Sequence, residues 1–237
     1  MSAARRPSGA GHDRPRHRGL ARVADDIVAC RACPRLTAYL DASRARFPDH
    51  WCRPVPGFGD PGARLLVVGL APGLHGANKT GRVFTFDSSG EWLYRALHGV
   101  GLASAAISRG PRDGLVLSDV FITGAARCAP PQNKPTPDEV ARCRPFLEAE
   151  LGHLGRVRVA VALGRIAHDQ LLRARGLRPA AFAFAHGAEH ALPGLHLIDS
   201  YHCSRQNTNT GRLTRAMFAR IFARAAQLAR GDAAAVP

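Results

Sequence analysis

The feature that most constrains this chain is a glycine-rich loop between a strand pattern and a helical pattern. The apolar run Leu65-Leu66-Val67-Val68 precedes the segment 69–85, and a helical pattern starts at Ser88. A strand, a glycine-rich loop and a helix in this order build ligand sites at the carboxyl edge of a parallel sheet. The segment lacks the Gly-Lys-Ser/Thr of a Walker A loop and the Gly-x-Gly-x-x-Gly of a dinucleotide fingerprint. It therefore predicts a ligand site of another kind.

Strand and helix patterns alternate along the rest of the chain. Strands are predicted at 64–70, 116–123, 157–163 and 195–199, and helices at 23–30, 88–100, from Thr136, 166–173 and 213–230. Ser88 or Ser89 is the expected cap of the second helix. This order predicts an α/β fold, a three-layer α/β/α sandwich with a central, mainly parallel four-stranded sheet. The distinctive loops after Leu70, Thr123 and Asp199 then meet at one edge.

The charge of the chain indicates a polyanionic partner. The 237 residues are 46% hydrophobic, enough for one core, and 33 basic residues against 18 acidic ones give a net charge of +15. Nucleic acid is the simplest such partner. Because 31 of the 33 basic residues are arginine, a GC-rich genome is an alternative explanation for the choice of arginine. It does not explain the excess of base over acid.

Composition also suggests the domain limits. Residues 1–20 are rich in arginine and glycine and are interpreted as a disordered basic arm, residues 21–230 as a single domain and residues 231–237 as a loose tail. No apolar run reaches the roughly 18 residues of a membrane helix, and no signal-peptide pattern is present. We expect a cytoplasmic monomer without a membrane partner, associated with the nucleoid through DNA binding.

Four of the six cysteines form a pattern with metal-ligand potential. Cys30-x-x-Cys33 is followed by a separated pair, Cys128 and Cys143. Four thiolates bind zinc or an iron–sulfur cluster, and spacing alone leaves both open, together with buried free thiols. Cys52 and Cys203 are expected to be ordinary buried or surface thiols.

Two segments carry a resemblance to a known family. The segment 69–85 resembles the first motif of the uracil-DNA glycosylase superfamily, in the form found in type B (family 5) enzymes. The segment 200–214 is similar to the superfamily's His-x-Ser element, with His202 and Ser204 in place and Cys203 where proline is frequent. The resemblance extends from about Ala29 to the final helix. It implies a structural 4Fe–4S cluster on Cys30, Cys33, Cys128 and Cys143.

The resemblance implies a hydrolase that starts base excision repair. Such an enzyme flips a base out of DNA and hydrolyses its N-glycosidic bond. No lysine lies in a motif that suggests Schiff-base chemistry, so a monofunctional glycosylase is expected. Type A relatives have an asparagine at the position of Gly124 that reads the uracil edge. Without that amide the pocket loses hydrogen-bond discrimination, so we expect activity on uracil and on other deaminated bases such as hypoxanthine.

The same resemblance implies which residues form the active site. The expected base-binding residues are Gly69, Ala71, Phe84, Gly124 and His202. Phe84 would stack on the base, although a lone phenylalanine is more often part of a core. His202 would donate to the oxygen of the leaving base, or it only caps a turn.

Other branches of the superfamily have an Asp or Asn at the position of Ala71, and that side chain activates the attacking water. Asp87 is the carboxylate best placed to position water instead, with a helix cap or salt bridge as the equal alternative. Asn133 is a weaker catalytic candidate, since Asn-Lys-Pro also suits a turn.

DNA contacts are expected from both motifs. The candidates are Asn78, Lys79, Thr80, Arg82, Ser204, Arg205, Gln206 and Asn207. Such side chains contact phosphates and position the duplex, although any one arginine is also explained as a solvated charge. Two other functions remain open. One is a non-catalytic DNA-binding iron–sulfur protein of the same fold, and the other is an enzyme for a phosphorylated small molecule, which leaves the charge unexplained.

Overall fold

A six-stranded sheet forms the centre of the protein in a computed structural model that describes residues 14–231. The strands in chain order are β1 (Phe58–Gly59), β2 (Leu65–Gly69), β3 (Val120–Gly124), β4 (Val159–Leu163), β5 (Glu189–Leu192) and β6 (Leu195–Ser200). Their order across the sheet is β1-β3-β2-β4-β6-β5. The four central strands are parallel, and β1 and β5 add antiparallel edges.

The central strands are apolar because both of their faces are covered. Every residue of β2, β3 and β4 is buried, as expected for parallel strands between two helical layers. The prediction of a mainly parallel central sheet is confirmed. The predicted strand number of four is corrected to six, because β1 has only two residues and β5 has only one buried residue. Neither edge strand is long or apolar enough to give a clear pattern.

Eight α-helices surround the sheet in the described part of the chain. They are α1 (Arg14–Ala29), α2 (Pro34–Arg46), α3 (Ala77–Thr80), α4 (Ser88–Gly99), α5 (Pro137–His153), α6 (Arg165–Ala174), α7 (Arg205–Asn209) and α8 (Arg215–Arg230). Leu65 and Val67 of β2 share a core cluster with buried residues of α4 and α8. Leu66 and Val68 pack on the other face with residues of α5 and α6. This alternation along one strand produces the predicted three-layer sandwich.

Side-chain caps fix the starts of two helices at the site edge. The carboxylate of Asp87, rather than Ser88 or Ser89, caps α4, since its Oδ1 accepts from the Gly90 N–H at 2.8 Å. Thr136 and Glu139 form the expected capping box at α5, with the Thr136 N–H donating to Glu139 Oε2 at 2.8 Å. These caps satisfy backbone donors that the helix itself leaves unpaired.

The first helix is longer than its pattern suggested. It begins at Arg14 instead of Val23, so residues 14–20, assigned to the disordered arm from the sequence, are helical. Leu20, Val23 and Ile27 form its buried face, and the small and charged residues between them, together with the arginine-rich segment before Leu20, concealed this spacing. Residues 1–13 of the predicted arm and 232–237 of the predicted tail lie outside the described residues. Of the helices described, none combines the length and apolar character needed to span a membrane.

Candidate functional site

A cavity lies where the loops after β2, β3 and β6 meet, at the carboxyl edge of the parallel strands. Six residues nominated from the sequence line it: Gly69, Ala71, Phe84, Asp87, Gly124 and His202. The remaining lining is largely apolar. Residues more than 130 positions apart in the sequence are therefore brought around one space, as the parallel topology predicts.

Phe84 lies against the end of β2. A Cβ atom at Gly69 would be 2.6 Å from Cζ of the Phe84 ring, so the ring occupies the space that a side chain at position 69 would need. Phe84 has a φ of +57°. Its carbonyl oxygen fits against Gly90, where a Cβ atom would be only 2.1 Å away. The ring is part-buried and also packs on the core, so Phe84 combines a core contact with a surface in the cavity.

Asp87 uses its two carboxylate oxygens differently. Oδ1 caps α4 through the Gly90 N–H. Oδ2 lies over the glycine loop, 2.6 Å from the Cβ position of Gly76 and 3.5 Å from that of Gly73. Burial raises the pKa of Asp87, and the Gly90 and Ser89 backbone N–H groups and the Arg205 charge partly oppose this. The helix cap that the sequence offered for Asp87 is therefore present, and the same side chain also lines the cavity.

Asn133 lies outside the cavity lining but near it. It is exposed, ends a short 3₁₀ turn and has a φ of +57°, which agrees with the turn interpretation. Its Oδ1 is 3.9 Å from the Cβ position of Gly73, the glycine that Asp87 Oδ2 also approaches. The structure thus brings Asn133 and Asp87 to the same glycine without placing Asn133 in the pocket.

His202 forms the wall that follows β6. It lines this cavity and a neighbouring one, and burial lowers its pKa to about 4, so the imidazole is neutral at pH 7. Its carbonyl oxygen accepts from Asn207 Nδ2 at 2.8 Å. The ring forms no hydrogen bond with another described residue. Its N–H and lone pair are therefore available to a ligand.

Buried groups hold the strand end that carries His202. Asp199 of β6 accepts hydrogen bonds from His168 Nδ1 at 2.8 Å and from His190 Nε2 at 3.1 Å, and His168 Nε2 contacts the Phe182 carbonyl oxygen at 3.0 Å. This network was missed from the sequence. A buried carboxylate at a strand end needs partners, but nothing local indicates which histidines supply them.

The four patterned cysteines line one small cavity of their own. Cys30 and Cys33 come from the turn between α1 and α2, Cys128 follows β3 and Cys143 lies in α5. Burial raises the pKa of Cys128, and the three neighbouring thiols raise it further. Burial raises the pKa of Cys143 to about 11. The four sulfur atoms thus share one electrostatic environment, and a cation between them would reverse these shifts.

The donor chemistry of these four side chains bears on the choice of metal. Four cysteine thiolates are a ligand set for a zinc ion and for an iron–sulfur cluster alike. In the described part of the chain, a separate group of potential ligands, with donor atoms within 4.8 Å of one another, is His168, His190 and Asp199. Cys52 and Cys203 are separate buried thiols, as expected.

Comparison with known proteins agrees with this geometry. The family model described as "Uracil DNA glycosylase superfamily" matches residues 56–226, which include the whole cavity lining except Val55. The chain belongs to this superfamily. A type-5 uracil-DNA glycosylase of Thermus thermophilus is 56% identical over 209 residues, covering 86% of this chain and 95% of the relative. One of Mycobacterium leprae is 47% identical over 212 residues, covering 86% and 93%.

A more distant branch is also similar. A type-4 uracil-DNA glycosylase of Pyrobaculum aerophilum is 35% identical over 125 residues, or 52% of this chain and 56% of the relative. The predicted resemblance to the family-5 branch of the superfamily is confirmed. The match of the type-5 relatives extends over most of the chain, while the type-4 match spans about half of it.

The DNA-facing prediction for this superfamily member is wrong at two positions. Asn78 is fully buried and donates through Nδ2 to the Leu74 carbonyl oxygen at 3.4 Å. Arg82 is 7% exposed, pairs with Asp113 at 2.6 Å and stacks on the Phe58 ring. Both side chains therefore serve the interior of the loop. The other candidates remain at the surface: Lys79, Arg205 and Gln206 are exposed, and Thr80, Ser204 and Asn207 are part-buried.

Phe86 is a surface feature that sequence reasoning missed. Its side chain is 54% exposed, its φ is +56°, and Lys79 Nζ lies 4.5 Å from the ring centroid. A bulky residue in left-handed backbone is unusual and costs about 1–3 kcal/mol. An isolated aromatic in a loop has no periodicity that reveals such exposure. Phe86 immediately precedes Asp87 and so lies close to the cavity at the carboxyl edge.

Proposed function

We propose that this protein is a monofunctional DNA glycosylase that hydrolyses the N-glycosidic bond of uracil in DNA. We further propose that it removes other deaminated bases, such as hypoxanthine, and acts as a monomer. The observation that carries the proposal is the cavity at the carboxyl edge, called the base cavity from here on. Phe84, Asp87 and His202 line it together with several glycines. Membership of the superfamily and the names of the type-5 relatives support it.

In this proposal Phe84 and His202 hold the flipped base. The Phe84 ring provides a stacking surface at the end of β2, and stacking orients a flipped base. As the glycosidic bond breaks, negative charge develops on the base. The neutral His202 donates an N–H to an oxygen of the leaving base and stabilises that charge. With its lowered pKa the imidazole is neutral at pH 7, so it acts on the leaving base as a hydrogen-bond donor rather than as a proton-transferring acid.

Asp87 and Asn133 are proposed to act on the sugar side. The sugar becomes positively charged in the transition state, and a carboxylate nearby both stabilises this charge and positions the attacking water. Asp87 Oδ2 and Asn133 Oδ1 both border Gly73, so one water between them would have two acceptors. Ala71 supplies no polar group here, which assigns the water to these two side chains.

Gly124 is proposed to widen specificity. A Cβ atom there would lie 3.1 Å from the Ala126 carbonyl oxygen and 3.7 Å from that of Leu70. Backbone therefore surrounds this position closely, and the absence of a side chain keeps the space open to a larger base. No amide at position 124 reads the edge of uracil, so the hydrogen-bond penalty that rejects other bases is missing.

The four cysteines are the proposed ligands of a 4Fe–4S cluster. Their sulfur donors come from three separate segments and line one small cavity, and four thiolates are the usual ligands of such a cluster. When bound, such a cluster supplies a covalent cross-link between the α1–α2 turn, the loop after β3 and helix α5. It lies apart from the base cavity, and Arg127 and Cys128 follow the strand end that forms the cavity wall. Its role is thus structural.

A panel of DNA duplexes tests the proposal. Wild-type protein is incubated with duplexes carrying uracil, hypoxanthine or xanthine, and strand cleavage is read with and without alkali. We expect cleavage only after alkali, for uracil and hypoxanthine alike. His202→Ala should lose most single-turnover activity, whereas His98→Ala, at an exposed histidine of α4, should retain it.

Three outcomes would contradict parts of the proposal. Excision of uracil with hypoxanthine untouched removes the broad specificity. Cleavage without alkali removes the monofunctional assignment. Binding of duplex without excision of any base favours the alternative of a non-catalytic DNA-binding protein of the same fold.

A further inference from the structure

A second, open cleft of about 930 Å³ lies beside the base cavity. One wall is the segment 48–53 with Arg44 of α2, and the other is the loop 109–113. Lys79 and Thr80, at the end of α3, lie between the walls. The first wall is tied to α3 by backbone hydrogen bonds, including one of 3.0 Å from the Trp51 N–H to the Lys79 carbonyl oxygen.

The lining of the cleft is strongly basic. Five basic side chains and two acidic ones line it, the basic residues being Arg44, Arg53, Lys79, Arg109 and Arg112. One of the acids, Asp113, is already paired with Arg82. Lys79, Arg109 and Arg112 are exposed and form no ion pair with another described residue. These charges therefore converge on an open space, and Asp49 is the one acidic residue of the lining that is not already paired with Arg82.

Asp113 gives the second wall a fixed shape. Its carboxylate accepts from the Arg109, Gly110 and Leu115 backbone N–H groups at 2.7, 3.2 and 3.0 Å. It also accepts from the Arg82 guanidinium at 2.6 Å. These hydrogen bonds hold the pKa of Asp113 well below its usual range. The loop that presents Arg109 and Arg112 is thus organised before any ligand binds.

Helix α3 connects the cleft with the base cavity. Ala77 lines the base cavity, and Lys79 and Thr80 line the cleft. Two to three residues of helix span only about 3–5 Å, so the two spaces are immediate neighbours. Lys79 also contacts Phe86, the residue before Asp87. A nucleotide in the base cavity therefore has its continuing backbone within reach of the cleft.

We propose that this cleft binds backbone phosphates of the DNA strand next to the flipped nucleotide, through Lys79, Arg109 and Arg112. The inference rests on the proposed function, because it takes DNA as the substrate. It places two of the three phosphate contacts, those of Arg109 and Arg112, on a loop that lies outside both sequence motifs. It also gives Arg82 a positioning role: Arg82 holds Asp113 and hence the loop, without touching DNA.

The test is the salt dependence of DNA binding by Arg109→Ala/Arg112→Ala. Affinity for a duplex of undamaged sequence is measured by fluorescence anisotropy over a range of salt concentrations. Each lost phosphate contact should reduce the slope of log K against log salt by about 0.9, so about 1.8 for both, and should weaken binding on the order of 10- to 60-fold at 0.1 M salt.

The matched control is Arg173→Ala/Arg178→Ala. These exposed arginines lie in the last turn of α6 and just beyond it, at the end of the helix away from the carboxyl edge, and their loss changes the net charge equally. A slope and an affinity that match wild type, or that change as much in the control, overturn the proposal. Binding of inorganic phosphate is measured for the same Arg109→Ala/Arg112→Ala variant. A loss of affinity for phosphate with unchanged duplex binding also overturns the proposal.

The binding assay separates this inference from the proposed function. Undamaged duplex contains no base to excise, so the cleft is measured without turnover. A reduced slope in a protein that excises nothing supports the cleft and refutes the glycosylase proposal. Normal excision of uracil with an unchanged salt slope supports the glycosylase proposal and refutes the proposal for the cleft.

Discussion

Gly69→Ala adds one methyl group at the point where β2, the base cavity and the Phe84 ring meet. The new Cβ would lie 2.6 Å from Cζ and 2.8 Å from Cε2 of the ring, well inside the 3.5–4.0 Å of a favourable carbon contact. Gly69 is not among the glycines with positive φ, so the strand accepts alanine without backbone strain. The ring, rather than the strand, must therefore move by about 1 Å.

The structure gives this change two separable magnitudes. Overpacking of this kind costs about 1–3 kcal/mol, which lowers the melting temperature of a domain of this size by about 2–4 °C for each kcal/mol. Stacking of a base on an aromatic ring contributes about 1–3 kcal/mol. Displacing the Phe84 ring should therefore slow excision of uracil by about 5- to 150-fold.

The assay combines single-turnover excision with thermal unfolding followed by circular dichroism. Gly99→Ala is the control, because a Cβ atom at that exposed end of α4 meets nothing within 4 Å. It should keep the wild-type rate and a melting temperature at or above wild type. If Gly69→Ala unfolds cooperatively and still excises uracil at the wild-type rate, the role of Phe84 as a stacking platform is refuted.

Three further changes address the rest of the site. Excision should fall as the pH drops through the raised pKa of Asp87, because water positioning needs the carboxylate. His202, with a pKa of about 4, is neutral at pH 7. An excision rate that rises as the pH drops below 7 would contradict the role of Asp87. Gly124→Asn should raise the preference for uracil over hypoxanthine, measured as the ratio of the two excision rates. Gly124→Ala is the control, because it narrows the pocket without adding an amide that can hydrogen-bond to the edge of uracil. Phe86→Gly should stabilise the fold by about 1 kcal/mol, because a φ of +56° favours glycine. If the exposed ring contacts DNA, the same change should also weaken duplex binding measured by fluorescence anisotropy. Unchanged binding would show that Phe86 does not contact DNA.

The sheet was largely predictable because its central strands are short continuous apolar runs. Leu65–Gly69 and Val159–Leu163 are buried on both faces. Their uninterrupted apolar sequences indicate this burial directly. The edge strand Phe58–Gly59 was not predictable, since two residues that pair with β3 carry no pattern. The start of α1 was hidden for a related reason: its three buried apolar residues are separated by small and charged residues, and the segment before Leu20 is rich in arginine.

The candidate site was predictable where a motif and the topology agreed, and not where partners are distant in sequence. Arg82 belongs to a loop that the resemblance assigned to DNA, yet its partner Asp113 lies 31 positions away. Loop residues point to either side of the backbone, and sequence does not distinguish the two. Asn78 was misassigned in the same way. His168 and Asp199 are likewise 31 positions apart, so their pairing became apparent only in the folded chain.

Ion pairs with little exposure recur beneath the loops that form the site. Two ion pairs occupy such positions, Glu150 with Arg127 after β3 and Asp113 with Arg82 beside α3. At β6, Asp199 forms a buried hydrogen-bonded pair with His168. Arg127 also donates to Thr123 of β3 and immediately precedes Cys128. Each pair joins a loop of the site to a second element of the fold.

Such pairs explain the geometry of the site better than they explain its stability. A buried pair gains little net free energy, because desolvation offsets most of the attraction, but removing one partner costs about 3–5 kcal/mol. An apolar residue would fill the same space without fixing a direction. Asp113 instead aligns three backbone N–H groups, and Asp199 accepts from two histidines. These carboxylates hold the loops in place before DNA binds, and such preorganisation is what an electrostatically stabilised transition state requires.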